Sequence, residues 1–334
     1  MNNEQGSSSS VQGSESLPPA MPSELPSLVK LLTSKVLPHQ RPAVSAMIFP
    51  ALATHVNNCL FNLADNTDIE LGLMCCLLAK QSIGKGCVNA PLKAIMADIE
   101  AEDEVNRQRE RLWQEEQKNK KANEKGRSKP ADLIIRILDS DTTPAAFLSR
   151  LFTAEHGAAD NQQEWPNLCT YSQVEEIEDL YSFCATGGKN KVRQMIKRSW
   201  DRGRIGAERF TASAANFKTV LRWNWAASST IEGGKSFFKN CLTDGTTSRV
   251  DFCTIIPPSG VIEFRYGKYD EEFRATLAQY INNLRSFKCL RDEEGHIIPA
   301  VIPQIREIEE RMNEYINQYS ATQPDNTWES YAWR

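Results

Sequence analysis

The sequence predicts an α/β protein: a mostly parallel five-stranded sheet flanked by helices, with helical additions at both ends. Three observations carry this. Five short apolar segments read as strands and alternate with segments of helical periodicity. The first of them, residues 70–79 (ELGLMCCLLA), is apolar almost throughout, as a strand covered on both faces must be. A glycine-containing corner, Gly84-Lys85-Gly86, then turns the chain from that strand into a helix.

The chain has 334 residues, 39 basic and 43 acidic, a net charge of −4, and 40% hydrophobic side chains, a composition that excludes collagen, wholly disordered chains and small stapled scaffolds. No apolar run is long enough to span a bilayer and the opening MNNEQGSSSS is no signal pattern, so a cytoplasmic protein without membrane contact is expected. Residues 1–26, with seven serines and four prolines, read as a disordered leader. Residues 27–66 carry helical steps at Leu28, Leu31 and Leu32, then Val44, Met47, Ile48 and Leu52, so two helices should precede the first strand. The core is expected over 67–268. Within it, residues 98–130 hold 18 charged side chains of 33 and predict a solvated helical extension. Strands follow at 133–138 (LIIRIL), 167–172 (NLCTYS), 219–228 (TVLRWNWAAS) and 249–256 (RVDFCTII), with VEEIEDLYSF and the stretch around 234–242 helical between them. Residues 269–334 return to helical spacing and stop at WESYAWR, an aromatic ending that suggests a truncated frame.

The nine cysteines show no C-x-x-C spacing and read as buried reduced thiols, and the four histidines are scattered, so neither points to a metal centre. The chemistry is better sought in Ala79-Lys80-Gln81-Ser82-Ile83-Gly84-Lys85-Gly86, followed by Cys87. Strand, glycine turn, lysine and helix together hold polyphosphate, through backbone N–H groups, the helix amino terminus and the lysine ammonium. The standard phosphate-loop pattern begins with Gly and ends with Ser or Thr; here Ala79 and Gly86 occupy those positions.

With the segments LLAKQSIGKGCVNAPL, LIIRILDSDTTPAAFLSRL, LCTYSQVEEIEDL, LRWNWAASST and LTDGTTSRVDFCTI in this order, the chain over 27–334 resembles a bacterial P-loop family of uncharacterised function found in integrative elements and prophages. Its members are described as helicase-like or primase-associated ATPases of RecA-like fold. The resemblance implies a P-loop NTPase using ATP and Mg²⁺ in DNA replication, beside a primase or other replication proteins and as a homo-oligomer. It assigns the phosphate-binding role to Lys85 and the surrounding loop to residues 79–87. Glu175 and Glu176 are the remaining candidates for Mg²⁺ and for orienting the attacking water, since Gln173 carries no charge; they read equally as acids at a helix amino terminus. Arg249 resembles a finger arginine and reads equally as a partner of Asp244 or Asp251. Asp141-Thr142-Thr143-Pro144 matches a family motif, with a helix cap at Asp141 or Thr142 as its other meaning. Ser228, Ser229 and Thr230 are nucleotide sensors or a further cap. A degenerate structural adaptor, or a nucleic-acid binding module without nucleotide hydrolysis, is the other reading of the whole chain.

Residues 187–209 carry eight basic against two acidic side chains. Lys197, Arg198, Arg202 and Arg204 are therefore candidate DNA contacts, with Trp200 and Trp223 as candidate stacking surfaces.

Overall fold

The computed structural model describes residues 21–321, apart from 64, 121–128, 131, 157–166, 185–187, 208–216, 240, 242–243 and 259–264. Most of the expected leader and the WESYAWR ending lie outside the described residues.

Helices α1 (Ser27–Thr33) and α2 (Arg41–His55) open the chain as expected. Two short strands then intervene, β1 (Cys59–Asn62) and β2 (Asp68–Ile69), which pair antiparallel. The apolar strand is β3 (Met74–Ala79), shorter than its hydrophobic run. A 30-residue helix α3 (Asn89–Lys118) follows, then α4 (Pro144–His156), β4 (Thr170–Val174), α5 (Gly188–Trp200), and the antiparallel pair β5 (Arg204–Ala207) and β6 (Phe217–Val220). Strand β7 (Trp223–Thr230), helix α6 (Ile231–Phe237) and strand β8 (Asp251–Cys253) complete the core. VEEIEDLYSF forms a 3₁₀ turn over Ile177–Phe183 rather than an α-helix. Helix α7 (Glu271–Ser286), β9 (Ala300–Ile302) and α8 (Arg306–Ser320) end the described chain. α7 starts where the Asp270 side chain accepts from the Phe273 N–H at 2.9 Å, with Glu271 and Glu272 in its first turn.

The central sheet has four strands, all parallel, in the order β4, β7, β3, β8. The α/β class is therefore present with four strands rather than five. The expected strand at 133–138 runs beside β4 but forms a single bridge, Ile137 to Tyr171. Four of its other backbone groups are taken by α3: the Asp103 carboxylate accepts from the N–H groups of Arg136 and Ile137, Asn106 donates to Ile134 O, and Arg107 donates to Ile137 O. A side-chain ladder thus replaces the strand ladder and covers the sheet edge. This also corrects the reading of 98–130 as a merely solvated extension, because Asp103 and Glu110 are buried, the latter paired with Arg150 at 2.8 and 2.5 Å.

Alternation along the strands sorts the core into two layers. On one face, Cys75, Leu77 and Ala79 of β3 meet α2, α3 and α7 through Met47, Ile48, Leu92, Ile95 and Leu277. On the other, Met74, Cys76, Trp223 and Trp225 meet α4, α5 and α6 through Phe147, Ile196 and Phe237. β9 pairs parallel with β1, which ties the C-terminal segment to the start of the chain. The eight cysteines whose side chains are described are free thiols, five of them buried.

The last residue of α2, His55, is fully buried, its Nε2 at 3.0 Å from Ile95 O, so Nε2 carries the proton. Burial, opposed by Asp98 and aided by Arg136 and Arg285, pulls the imidazole down to about 4. The ring is neutral in the fold and charges readily once unfolded. Its contribution is complete above the unfolded value near 6.5 and is lost as pH falls from there towards 4, up to about 3 kcal/mol. Urea unfolding at pH 7 and pH 4.5 should show a stability loss in the wild type that is smaller by about this amount in His55→Gln.

Candidate functional site

Where β3 ends, the chain makes a tight loop set by backbone conformation. Ser82 adopts φ +62° and Gly84 φ +92°, the left-handed region where only glycine escapes a Cβ penalty. A 3₁₀ turn, Lys85–Val88, then leads into α3. Among the described residues, Cys87 N–H donates to Gly84 O at 3.1 Å, whereas the N–H groups of Gly84, Lys85 and Gly86 donate to no protein acceptor. Free N–H groups in a left-handed bend at the entrance to a helix form a concave anion receptor.

The loop opens at the carboxyl ends of the parallel strands. From β3 the chain passes to α3 on one face, and from β7, its neighbour, to α6 on the other. Outgoing loops that part to opposite faces leave a crevice between two strands, where open α/β sheets collect ligands. Three side chains converge there. Lys85 Nζ lies 3.9 Å from Glu176 Oε1, and Ser229 Oγ donates to Glu176 Oε2 at 3.2 Å. Because β7 separates β3 from β4, Glu176 reaches across about 10 Å of sheet to meet the lysine. The Lys85 side chain is 19% exposed and that of Glu176 is 55% exposed, so the ammonium is partly desolvated while its carboxylate partner faces solvent. Beside them is a cavity of about 210 Å³, lined by Lys85, Gly86, Asn89, Gln173, Glu175 and Glu176, among others. Gln173 does not point at the lysine as a base would; its amide donates to Asn89 Oδ1 at 2.9 Å. Glu175 is exposed at the rim.

The polar end of β7 divides its work. Thr230 Oγ1 accepts from Gly233 N–H at 3.0 Å and caps α6, the buried Ser229 meets Glu176, and Ser228 lines the 210 Å³ cavity. At the start of α4 the cap is Thr143, whose Oγ1 accepts from Ala146 N–H at 3.3 Å, rather than Asp141 or Thr142.

Arg249 lies elsewhere. It precedes β8, at the amino ends of the strands, where it pairs with Asp201 at 3.2 Å and donates to Gly245 O at 2.8 Å. Its partner is thus neither Asp244 nor Asp251. The basic segment also belongs to that end. Arg202 donates to Leu71 O and lies 3.8 Å from Glu70, and Lys197 donates to Asp244 O at 3.1 Å. Arg198 and Arg204 are exposed, so two of the four candidate DNA contacts face solvent and two are committed inward. A six-residue strand spans about 20 Å, which separates this surface from Lys85. Trp223 is buried in the core against Phe147 and Phe183, at 5.1 and 5.3 Å, and offers no stacking surface.

Around Arg136, at the approach to β4, lies a buried polar layer that no motif announced. Arg136 donates to Cys169 O at 2.8 Å and to Thr54 O at 2.5 Å, and its N–H meets Asp103. Burial pushes the Asp103 carboxyl up to about 6. Within an apolar hexamer, LIIRIL, a lone arginine was the signal. Among the described residues, no helix is long and apolar enough to cross a membrane. Comparison with family models and with curated proteins finds no match to this chain.

Proposed function

We propose that the loop at residues 79–87 binds the phosphates of a nucleoside triphosphate, ATP with Mg²⁺ in the first instance. The observation that carries this is the set of free N–H groups at Gly84, Lys85 and Gly86, placed beside the Lys85 ammonium at the carboxyl ends of the sheet. A polyphosphate entering there takes hydrogen bonds from the loop and draws Lys85 from Glu176 to its own oxygens. The released Glu176, with Glu175 at the rim, supplies carboxylate oxygens of the kind Mg²⁺ requires. Ser228, at the wall of the same cavity, offers a hydroxyl to the last phosphate, while Ser229 holds Glu176. In a RecA-like reading, hydrolysis rests on positioning and charge stabilisation by these groups.

A second reading has its own support. Gly86 brings no hydroxyl to a metal, and Gln173 is turned to Asn89. Both features favour a loop that binds nucleotide without turning it over, as a structural adaptor. The role in DNA replication beside a primase, and assembly into a homo-oligomer with Arg249 reaching a neighbour, rest on the family resemblance. The separation of the basic surface from Lys85 means that DNA bound at Arg198 and Arg204 would act on the site through the sheet.

Equilibrium titration of ATP with Mg²⁺ into the wild type and Lys85→Ala, with phosphate release followed in the same samples with and without single-stranded DNA, tests these readings. Losing a charged hydrogen-bond donor should weaken binding by about 100-fold. Turnover stimulated by DNA supports the ATPase, binding without turnover supports the adaptor, and equal binding by both proteins removes the phosphate site.

A further inference from the structure

The glycine loop has a second side. Gly84, Gly86 and Cys87 line another cavity, about 380 Å³, together with Val36, Ala90, Tyr266 and Tyr269. None of these seven residues is charged, in contrast to the lysine and glutamates of the neighbouring 210 Å³ cavity. We propose that this apolar cavity is the nucleobase subsite of the nucleoside triphosphate whose phosphates occupy the Lys85 loop. The proposal rests on the phosphate reading of that loop.

The reasoning starts from size. A cavity of 210 Å³ is below the roughly 300–1,000 Å³ of small-molecule sites, so it holds the phosphate end and not a whole nucleotide. With the terminal phosphate set by Lys85 and the free N–H groups of the loop, the remainder of the molecule leaves across the loop, over two glycines that place no Cβ in its way. The space on the other side is where the ring system arrives. Its walls suit one. Tyr266 is 51% exposed and offers a ring face, while Val36, Cys87 and Ala90 give apolar cover.

The tyrosines are held in place. Gln40, buried at 1% exposure, accepts from Leu37 N–H through Oε1 and donates through Nε2 to the Tyr266 hydroxyl at 3.2 Å. Gly267 N–H donates to Lys35 O at 2.9 Å, and Tyr269 packs edge-on against Phe273 at 4.9 Å. The Tyr269 hydroxyl is buried and has no hydrogen-bond partner among the described residues. A buried hydroxyl without a partner is costly, and the edge of a base or a ribose hydroxyl supplies one. The site therefore joins the N-terminal helices and the segment before α7, on the β8 side of the loop, to the phosphate crevice on the β7 side.

Calorimetric titration of the full chain with ATP and with inorganic tripolyphosphate, both with Mg²⁺, separates the two subsites. The wild type should bind ATP more tightly than tripolyphosphate. Tyr266→Ala should lose roughly tenfold or more in ATP affinity, the effect of removing one stacking partner, and keep its tripolyphosphate affinity. Tyr266→Phe, which retains the ring, should stay close to wild type, and Tyr269→Phe should weaken ATP alone. Lys85→Ala should weaken both ligands. Equal affinity of the wild type for ATP and tripolyphosphate, or unchanged ATP binding in both Tyr266→Ala and Tyr269→Phe, overturns the base subsite while leaving the phosphate site standing. Binding of neither ligand overturns both.

Discussion

Replacing Arg136 by alanine is expected to destabilise the fold by about 3–5 kcal/mol, the cost of breaking a buried charge network from one side. The guanidinium is 3% exposed and its donors satisfy the carbonyls of Cys169 and Thr54, which belong to β4's approach and to α2. Burial lowers the Arg136 pKa, and the nearby Asp103 carboxylate raises it. Without the cation, Asp103 keeps its backbone N–H donors at Arg136 and Ile137, the buried Cys169 carbonyl loses its donor, and Thr54 O keeps the Asn57 amide at 3.1 Å. A urea melt would show a lower midpoint at unchanged slope. Arg136→Met, which restores volume but no donors, should recover only part of the loss. A loss below about 1 kcal/mol in Arg136→Ala would mean that water replaces the guanidinium at no cost.

Trp223→Ala is the second large effect, about 3–5 kcal/mol, the range for deleting a fully buried large aromatic. The indole is packed against Phe147, Phe183 and Trp225, and its Nε1–H donates to Ser172 Oγ at 3.0 Å. The loss has three parts: buried area, edge-to-face ring contacts, and a hydroxyl left without its donor. This variant also separates two meanings of the residue. A core tryptophan lowers the denaturation midpoint, whereas a stacking tryptophan lowers DNA affinity in a protein of wild-type stability. The buried position predicts the first result.

The apolar run in 70–79 was enough to place the central strand, because a strand buried on both faces needs no alternation and shows itself by continuity. The Gly84-Lys85-Gly86 corner was legible for a similar reason: it sits between two strong local signals, and glycine there answers a left-handed backbone. Segment 133–138 reads just as apolar as β3, yet it makes one bridge. Its partner groups come from Asp103, Asn106 and Arg107, and no local pattern announces that a helix 30 residues earlier will take them. β1 and β2, four and two residues long, are too short to stand out, and β9 arrives from about 240 residues away to pair with β1.

The site divides along the same line. Local order determined the sheet class, the lysine loop and the candidate acids, since strand periodicity, turn glycines and helix starts are properties of neighbouring residues. Tertiary structure alone decided that Glu176 rather than Gln173 faces Lys85, that Ser229 joins them while Thr230 caps a helix, and that Arg249 and Arg202 lie at the far end of the strands. It also decided that Tyr266 and Tyr269 stand beside a loop 180 residues before them. The physical reason is strand order. In a parallel sheet, which residues meet is set by which strands are neighbours and at which end the chain emerges, and that is a property of the assembled layers rather than of any segment.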